Sequence, residues 1–261
     1  AGVRPSHPRL LDDLAHRFIH QYNWSTKSLL REIVLSNTYR QTARVPAEIR
    51  TQDPMNRWLS YGPRQRLTSE MVRDASLQVA GLLSSKRLGG VAHPPIPKGV
   101  WQPFVAKDKW ETPQPGNENR YRRMIYTYTK REIPFPSMSV FDAPSREFCE
   151  QRRSVSNTPL QALTTLNDEA YFEAAQAFAK KHLPSKPNTN LQTRLDAAYR
   201  AATSQNPSPE TRSTLLNYQQ KFLTHYQQNP HLAKQLNLSP QQAAHTMLAN
   251  IILNLDEFLT R

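Results

Sequence analysis

Proline, present 21 times against seven glycines, constrains the fold of this 261-residue chain more than any other residue. Its ring fixes φ and removes the backbone N–H. It therefore breaks a helix interior, yet it suits the first helical position, where that N–H has no partner. Thr158-Pro159, Ser208-Pro209 and Ser239-Pro240 each place a hydroxyl just before such a proline. The hydroxyl can accept from the free N–H groups of the first turn, so each pair predicts a helix start. Ser6-His7-Pro8 predicts another. Gln161 after Thr158, and Gln192 after Thr189, complete two capping boxes. Nine more prolines, from Pro94 to Pro144, mark a stretch that reads as irregular.

Hydrophobic spacing fills in the helices. Leu10, Leu11, Leu14, Phe18 and Ile19 recur at helical intervals, as do Leu29, Leu30, Ile33 and Val34 after Ser25 or Thr26. Residues 42–66, with Pro46, Pro54 and Pro63, read as a loop. A third helix opens at Thr68 or Ser69, turns Met71, Val72, Ala75, Val79 and Leu82 inward and runs to Gly89-Gly90. Further on, Leu160, Leu163, Leu166 and Ala170 share a face. Asn167-Asp168 break that helix and cap the next, and three more helices follow Pro184 and Pro187. Residues 121–129, rich in aromatic and β-branched side chains, predict one short strand or hairpin. The chain reads as mainly α and as a single domain, 1–261. Helical blocks at 6–84 and 158–261 pack around a long Pro-rich irregular segment, 85–157.

The net charge of +13 bears on partners rather than on fold. Basic residues are spread along the chain with no Lys/Arg run and no nucleic-acid motif. Nucleic acid therefore ranks behind a plain basic surface and behind an acidic domain or polymer. A mean hydropathy of −0.70 is low for a compact globule and predicts exposed loop or docking surface. No apolar run approaches the ~20 residues of a membrane helix. The lone cysteine cannot form an internal disulfide, no signal peptide is visible, and Ala1-Gly2-Val3-Arg4 reads as an internal cut. Cys-x-x-Cys-His, both glycine-rich phosphate loops and Gly-x-Ser-x-Gly are missing, so no cofactor is expected in the chain itself.

Longer motifs run through the middle: Tyr121-Arg122-Arg123-Met124-Ile125-Tyr126-Thr127-Tyr128, then Pro134-Phe135-Pro136, then Phe141-Asp142-Ala143-Pro144 onward to Asn157-Thr158-Pro159-Leu160-Gln161 and Asn167-Asp168. With Ser6-His7-Pro8-Arg9-Leu10-Leu11-Asp12, Asp53-Pro54-Met55-Asn56-Arg57 and Arg64-Gln65-Arg66-Leu67, they resemble the C-terminal domain of unknown function of large planctomycete-type cytochrome c proteins. The resemblance covers nearly the whole chain. It implies an extracytoplasmic protein, a cytochrome c-like domain upstream in the same chain, and haem in that domain only. It implies no activity.

Four sets of residues are candidates for chemistry. Arg122, Arg123, Arg146, Arg152 and Arg153 can form an anion or partner site, because guanidinium forks bind carboxylates and phosphates bidentately. The plainer reading is that Asp142, Glu147 and Glu150 tie them into structural ion pairs. Cys149, with no histidine nearby to act as base, reads as a buried structural thiol rather than a nucleophile. His16 and His20 have the i, i+4 spacing of metal ligands, with Asp12 one turn before, but fit surface histidines better. Trp101 and Trp110, with the nearby tyrosines, fit either a carbohydrate platform or pins holding the irregular segment to the core.

The expected function is a non-catalytic docking module whose basic face holds the upstream domain or an acidic ligand. The alternative is an enzyme or binding module acting on polysaccharide, acidic polysaccharide included, through 85–157.

Overall fold

A computed structural model describes residues 4–97, 99–100, 110–130, 133–147, 149–150, 153–184 and 190–260. The chain divides into two compact units, Ala1–Gln65 and Arg66–Arg261. The described residues are mainly helical, as the sequence predicts, and hold no sheet.

The first unit contains α1 (Pro8–His20), α2 (Thr26–Leu35) and the short α3 (Ala47–Gln52). His7 rather than Ser6 stands at the α1 N-cap, and no side chain caps it. Ser25 caps α2 by accepting from the Ser28 N–H. Arg17 of α1 donates to Asp13 and to Glu32 of α2, and the Tyr22 hydroxyl also donates to Glu32. Polar links thus join the two helices. Leu10, Leu11, Ile19, Leu30 and Val34, which follow helical spacing in the sequence, are exposed, and neither helix buries a residue. So short a stretch of chain has too little volume to cover both amphipathic faces. α3 lies in the predicted loop, because Pro46 precedes a run of helix-compatible residues that ends only at Asp53.

The second unit carries the core. Val72, Leu77 and Ala80 of α4 (Ser69–Ala80) meet Tyr171, Ala174, Ala175, Phe178 and Ala179 of α7 (Glu169–His182). Around them lie α8 (Leu191–Thr203), α9 (Pro209–Gln228) and α11 (Pro240–Ile252), which add Leu195, Tyr199, Leu215, Leu248 and Ile252. Alanines on α7 and α11 let the backbones approach closely. A second cluster joins Tyr226, Ala233, Ala243 and Ala244 through α10 (Pro230–Gln235). The Leu67 N–H donates to the Leu259 carbonyl at 2.9 Å, joining the start of this unit to α12 (Asp256–Leu259).

The proline starts are realised. Pro159 opens α6 (Pro159–Asn167) behind Thr158, Pro209 opens α9 behind Ser208, and Pro240 opens α11 behind Ser239 with a complete capping box to Gln242. Asp168 caps α7 from the Ala170 N–H. Asn190 caps α8. Thr189, predicted for that role, lies outside the described residues. α4 ends at Gly81, in the left-handed region at φ 78°, eight residues before the predicted Gly89-Gly90. Leu160 and Leu163 are exposed, and it is Gln161 and Thr165 that α6 turns inward.

The predicted strand is absent. Two 3₁₀ turns, Glu118–Tyr121 and Met124–Tyr126, occupy its place, with one isolated bridge between Ala92 and Thr127. The carbonyls of Arg120 and Arg122, which a strand would offer to a neighbour, instead accept from the Arg73 guanidinium at 2.9 and 2.7 Å.

Candidate functional site

α4 organises the motif residues. One face presents Glu70, Arg73 and Asp74, spaced by three and four positions and so aligned along the helix. Arg73 is buried and holds the 120–122 backbone, as above. Asp74 accepts from the Met124 N–H at 2.7 Å and from Arg123 Nε at 3.1 Å. Glu70 accepts from Arg153 through both oxygens, at 3.0 and 2.8 Å. Burial pushes the Glu70 carboxyl up, but Arg153, its own N–H, Ser69 and Thr68 outweigh this and hold it down at about 2. Burial lowers the Arg73 pKa, and nearby Tyr171, Asp74 and Asp168 only partly offset the effect.

Beyond Glu70 lies a cavity of about 30 Å³, lined by Arg66, Thr68, Phe141, Asp142, Arg153, Ser156 and Gln161 among others. Its floor is a polar network. Asp142, at φ 55°, accepts from the Ser156 N–H at 2.8 Å and the Ser156 hydroxyl at 2.7 Å. Gln161, only 1% exposed, donates to the Val140 carbonyl at 3.0 Å and to Ser156 Oγ at 3.1 Å. Its amide oxygen accepts from Arg66 Nε at 3.2 Å. This is the only hydrogen bond of Arg66 among the described residues, which leaves its two terminal amino groups open. Burial lowers the Arg66 pKa, against the attraction of Asp142. A cavity this small, with two guanidinium groups on its wall, fits one carboxylate-sized anion and excludes a sugar ring.

The structure brings together two of the sequence candidates, Asp142 and Arg153, and the other candidates among the described residues do not line the cavity. Arg122, 2% exposed, donates to the Gly90 and Leu88 carbonyls and lies 3.9 Å from the Tyr126 ring centre. It pins the Leu88–Gly90 turn. Arg123 is taken up by Asp74. Arg146 is exposed in the left-handed region at φ 64°. Arg152 and Trp101 lie outside the described residues. Cys149 is free and exposed rather than buried, since it sits in an irregular stretch with no element over it. Trp110 donates its indole N–H to the Pro94 carbonyl at 2.8 Å and stacks with Phe135 at 5.8 Å between ring centres. It pins the Pro-rich segment, packed against the Met124, Phe135 and Met138 cluster. His16 and His20 rings are 4.5 Å apart, but no group of three or more metal-ligating side chains exists among the described residues.

Sequence reasoning missed Arg66, Gln161 as a buried hub, and Arg120. Arg120 is buried and donates to Glu169 at 2.6 Å, to Glu173 and to the Pro113 carbonyl at 2.8 Å. Burial lowers its pKa, but the two glutamates reverse this and raise it. The available signal was Arg66 standing within the Arg64-Gln65-Arg66-Leu67 motif and Arg120 directly before Tyr121.

A family model described as PSD1, protein of unknown function (DUF1553), matches residues 1–219. No curated protein and no solved structure matches the chain. No helix among the described residues is long and apolar enough to cross a membrane. With the match spanning most of its length, the chain belongs to the DUF1553 family of proteins of unknown function.

Proposed function

We propose that the chain is a non-catalytic docking module, holding an acidic side chain of a partner domain in the Arg66–Arg153 cavity. One observation carries this reading: Arg66, partly withdrawn from water, keeps two amino groups open beside Arg153 in a carboxylate-sized space. A guanidinium in that setting gains from a bidentate carboxylate, which also fixes the partner's orientation. The network below, Asp142–Ser156–Gln161, acts as a rigid seat. Asp142 Oδ2 accepts both the N–H and the hydroxyl of Ser156, which fixes the carboxylate in that seat. The resemblance of the sequence motifs supports an upstream cytochrome c-like domain as the partner. On that same ground, haem resides in that domain and the whole is extracytoplasmic. Arg122 and Arg123 serve the fold in this reading, and Arg153 divides its charge between Glu70 and the ligand.

Poly-L-glutamate is the probe that tests the site. The folded chain binds it at low salt, and the binding weakens as salt screens the charges. Arg66→Gln cuts the affinity at least fivefold with the helical circular dichroism unchanged. Equal affinity in a folded Arg66→Gln variant sinks the proposal.

A further inference from the structure

The loop after α3 is built with unusual constraint. Asp53 is buried, and its two carboxylate oxygens accept the Arg57 and Trp58 N–H groups at 2.7 and 2.8 Å. The buried Tyr61 hydroxyl donates back to the Asp53 carbonyl at 2.9 Å, and the Asn56 amide donates to the Tyr61 carbonyl at 2.7 Å. Asn56 and Leu59 adopt left-handed φ values of 47° and 55°, a cost for Leu59 that the surrounding bonds must offset. At Gly62 any side chain would meet the Gln41 carbonyl oxygen at 2.5 Å. A loop fixed at so many points cannot tuck its crown inward. Met55 is 80% exposed and Trp58 69% exposed.

These two residues, with Pro54, form the apolar wall of a groove of about 460 Å³ completed by Ser6, His7, Gln52 and Arg57. That volume lies in the range of small-ligand sites, roughly 300–1,000 Å³. The lining restricts the ligand. A flat indole face offers stacking to a ring with an apolar side. Gln52, Ser6 and His7 offer hydrogen bonds to hydroxyls. Asp53, the only carboxylate in the lining, is consumed by backbone N–H groups and has nothing left for a cation. Arg57 supplies a fork for a carboxylate. We propose that this groove is a binding site for a carboxylated sugar ring, of the kind found in uronate polysaccharides. It is separate from the Arg66–Arg153 cavity and does not rest on it. In this reading a polysaccharide meets the chain at 52–58, whereas Trp110 of the Pro-rich segment is committed to packing.

Titration calorimetry of the intact chain with trigalacturonate tests the assignment, with cellotriose as the uncharged comparison. One molecule binds per chain, and Trp58→Ala lowers the affinity at least tenfold while the helical signal is kept. Arg57→Gln lowers it about fivefold, and cellotriose binds about fivefold more weakly than trigalacturonate. Arg66→Gln leaves it unchanged, which separates this site from the docking cavity. Absence of binding to the wild-type chain overturns the proposal, as does undiminished affinity in Trp58→Ala. Displacement of the sugar by an equimolar acidic peptide assigns the groove to protein instead and also overturns it.

Discussion

At the scale of single residues, Gln161 shows what sequence can and cannot give. Its place three residues after Thr158 predicts a capping box, and half of that box forms: Thr158 Oγ1 accepts the Gln161 N–H at 3.4 Å. The side chain does not return to the cap. It faces the core and joins Val140, Ser156 and Arg66, the last of them 95 residues away in sequence. A local rule fixed where the helix starts, because capping depends only on neighbours. The partners of a buried amide depend on which segments the fold brings together, and no local rule supplies that. Arg120 and Arg66 were missed for the same reason. Gln161→Ala strands the half-buried Val140 carbonyl and Arg66 Nε together and is expected to cost about 2 kcal/mol. Thr158→Ala, at a long cap bond from an exposed residue, is expected to cost about 0.5 kcal/mol. Urea midpoints of the two variants check the ordering. Equal losses would mean that Gln161 acts as a cap after all.

At the scale of elements, the helices were legible where a proline or an aspartate stands at the start. They were less legible at their ends and on their faces. Gly81 stopped α4 early because a left-handed residue was available there, whereas the sequence also offered Gly89-Gly90. Two elements carry titrating groups whose effects on stability separate by pH. Glu70 on α4 is held at about 2, below the ordinary 4.5. Its contribution is complete above pH 4.5 and is lost as pH falls toward 2. His182 on α7 is pushed down by burial, against the hydrogen bond its ring N–H donates to the Val79 carbonyl. His245 on α11 is pushed down by burial and by Arg194, against a hydrogen bond it donates to the Leu183 backbone. Both are depressed, so each contributes fully above 6.5 and progressively less below it. The urea midpoint is expected to fall in two steps on acidification, the first beginning near pH 6.5 and the second below pH 4.5. Glu70→Gln removes the second step only. A second step that survives in Glu70→Gln overturns the assignment of that step to the Glu70–Arg153 pair.

At the scale of the molecule, apolar burial is distributed very unevenly. Among the described residues, the three buried apolar clusters all lie within 66–261. The first 65 residues bury Tyr61 and Asp53 but no residue of α1 or α2, and they leave Leu10, Leu11, Ile19, Leu30, Val34 and Leu35 exposed. Low mean hydropathy predicted docking surface somewhere, but it is a sum over the chain and carries no position. The helical periodicity of α1 and α2 carried position and marked both helices, but an amphipathic face says only that something apolar is wanted, and not whether the same unit supplies it. Conformational entropy costs about 1–2 kcal/mol for each residue ordered, so a segment without a core of its own is marginal. The segment 66–261, expressed alone, is therefore expected to unfold cooperatively in urea, with a near-UV signal that disappears together with the helical one. The segment 1–65 alone is expected to show partial helicity that melts without a sigmoidal transition. Because Arg66, Asp142, Arg153 and Gln161 all belong to the larger segment, it should also retain the salt-sensitive affinity for poly-L-glutamate within about twofold. A non-cooperative 66–261 would place necessary core interactions outside it. A cooperative 66–261 that loses the affinity would move the anion site out of the Arg66–Arg153 cavity.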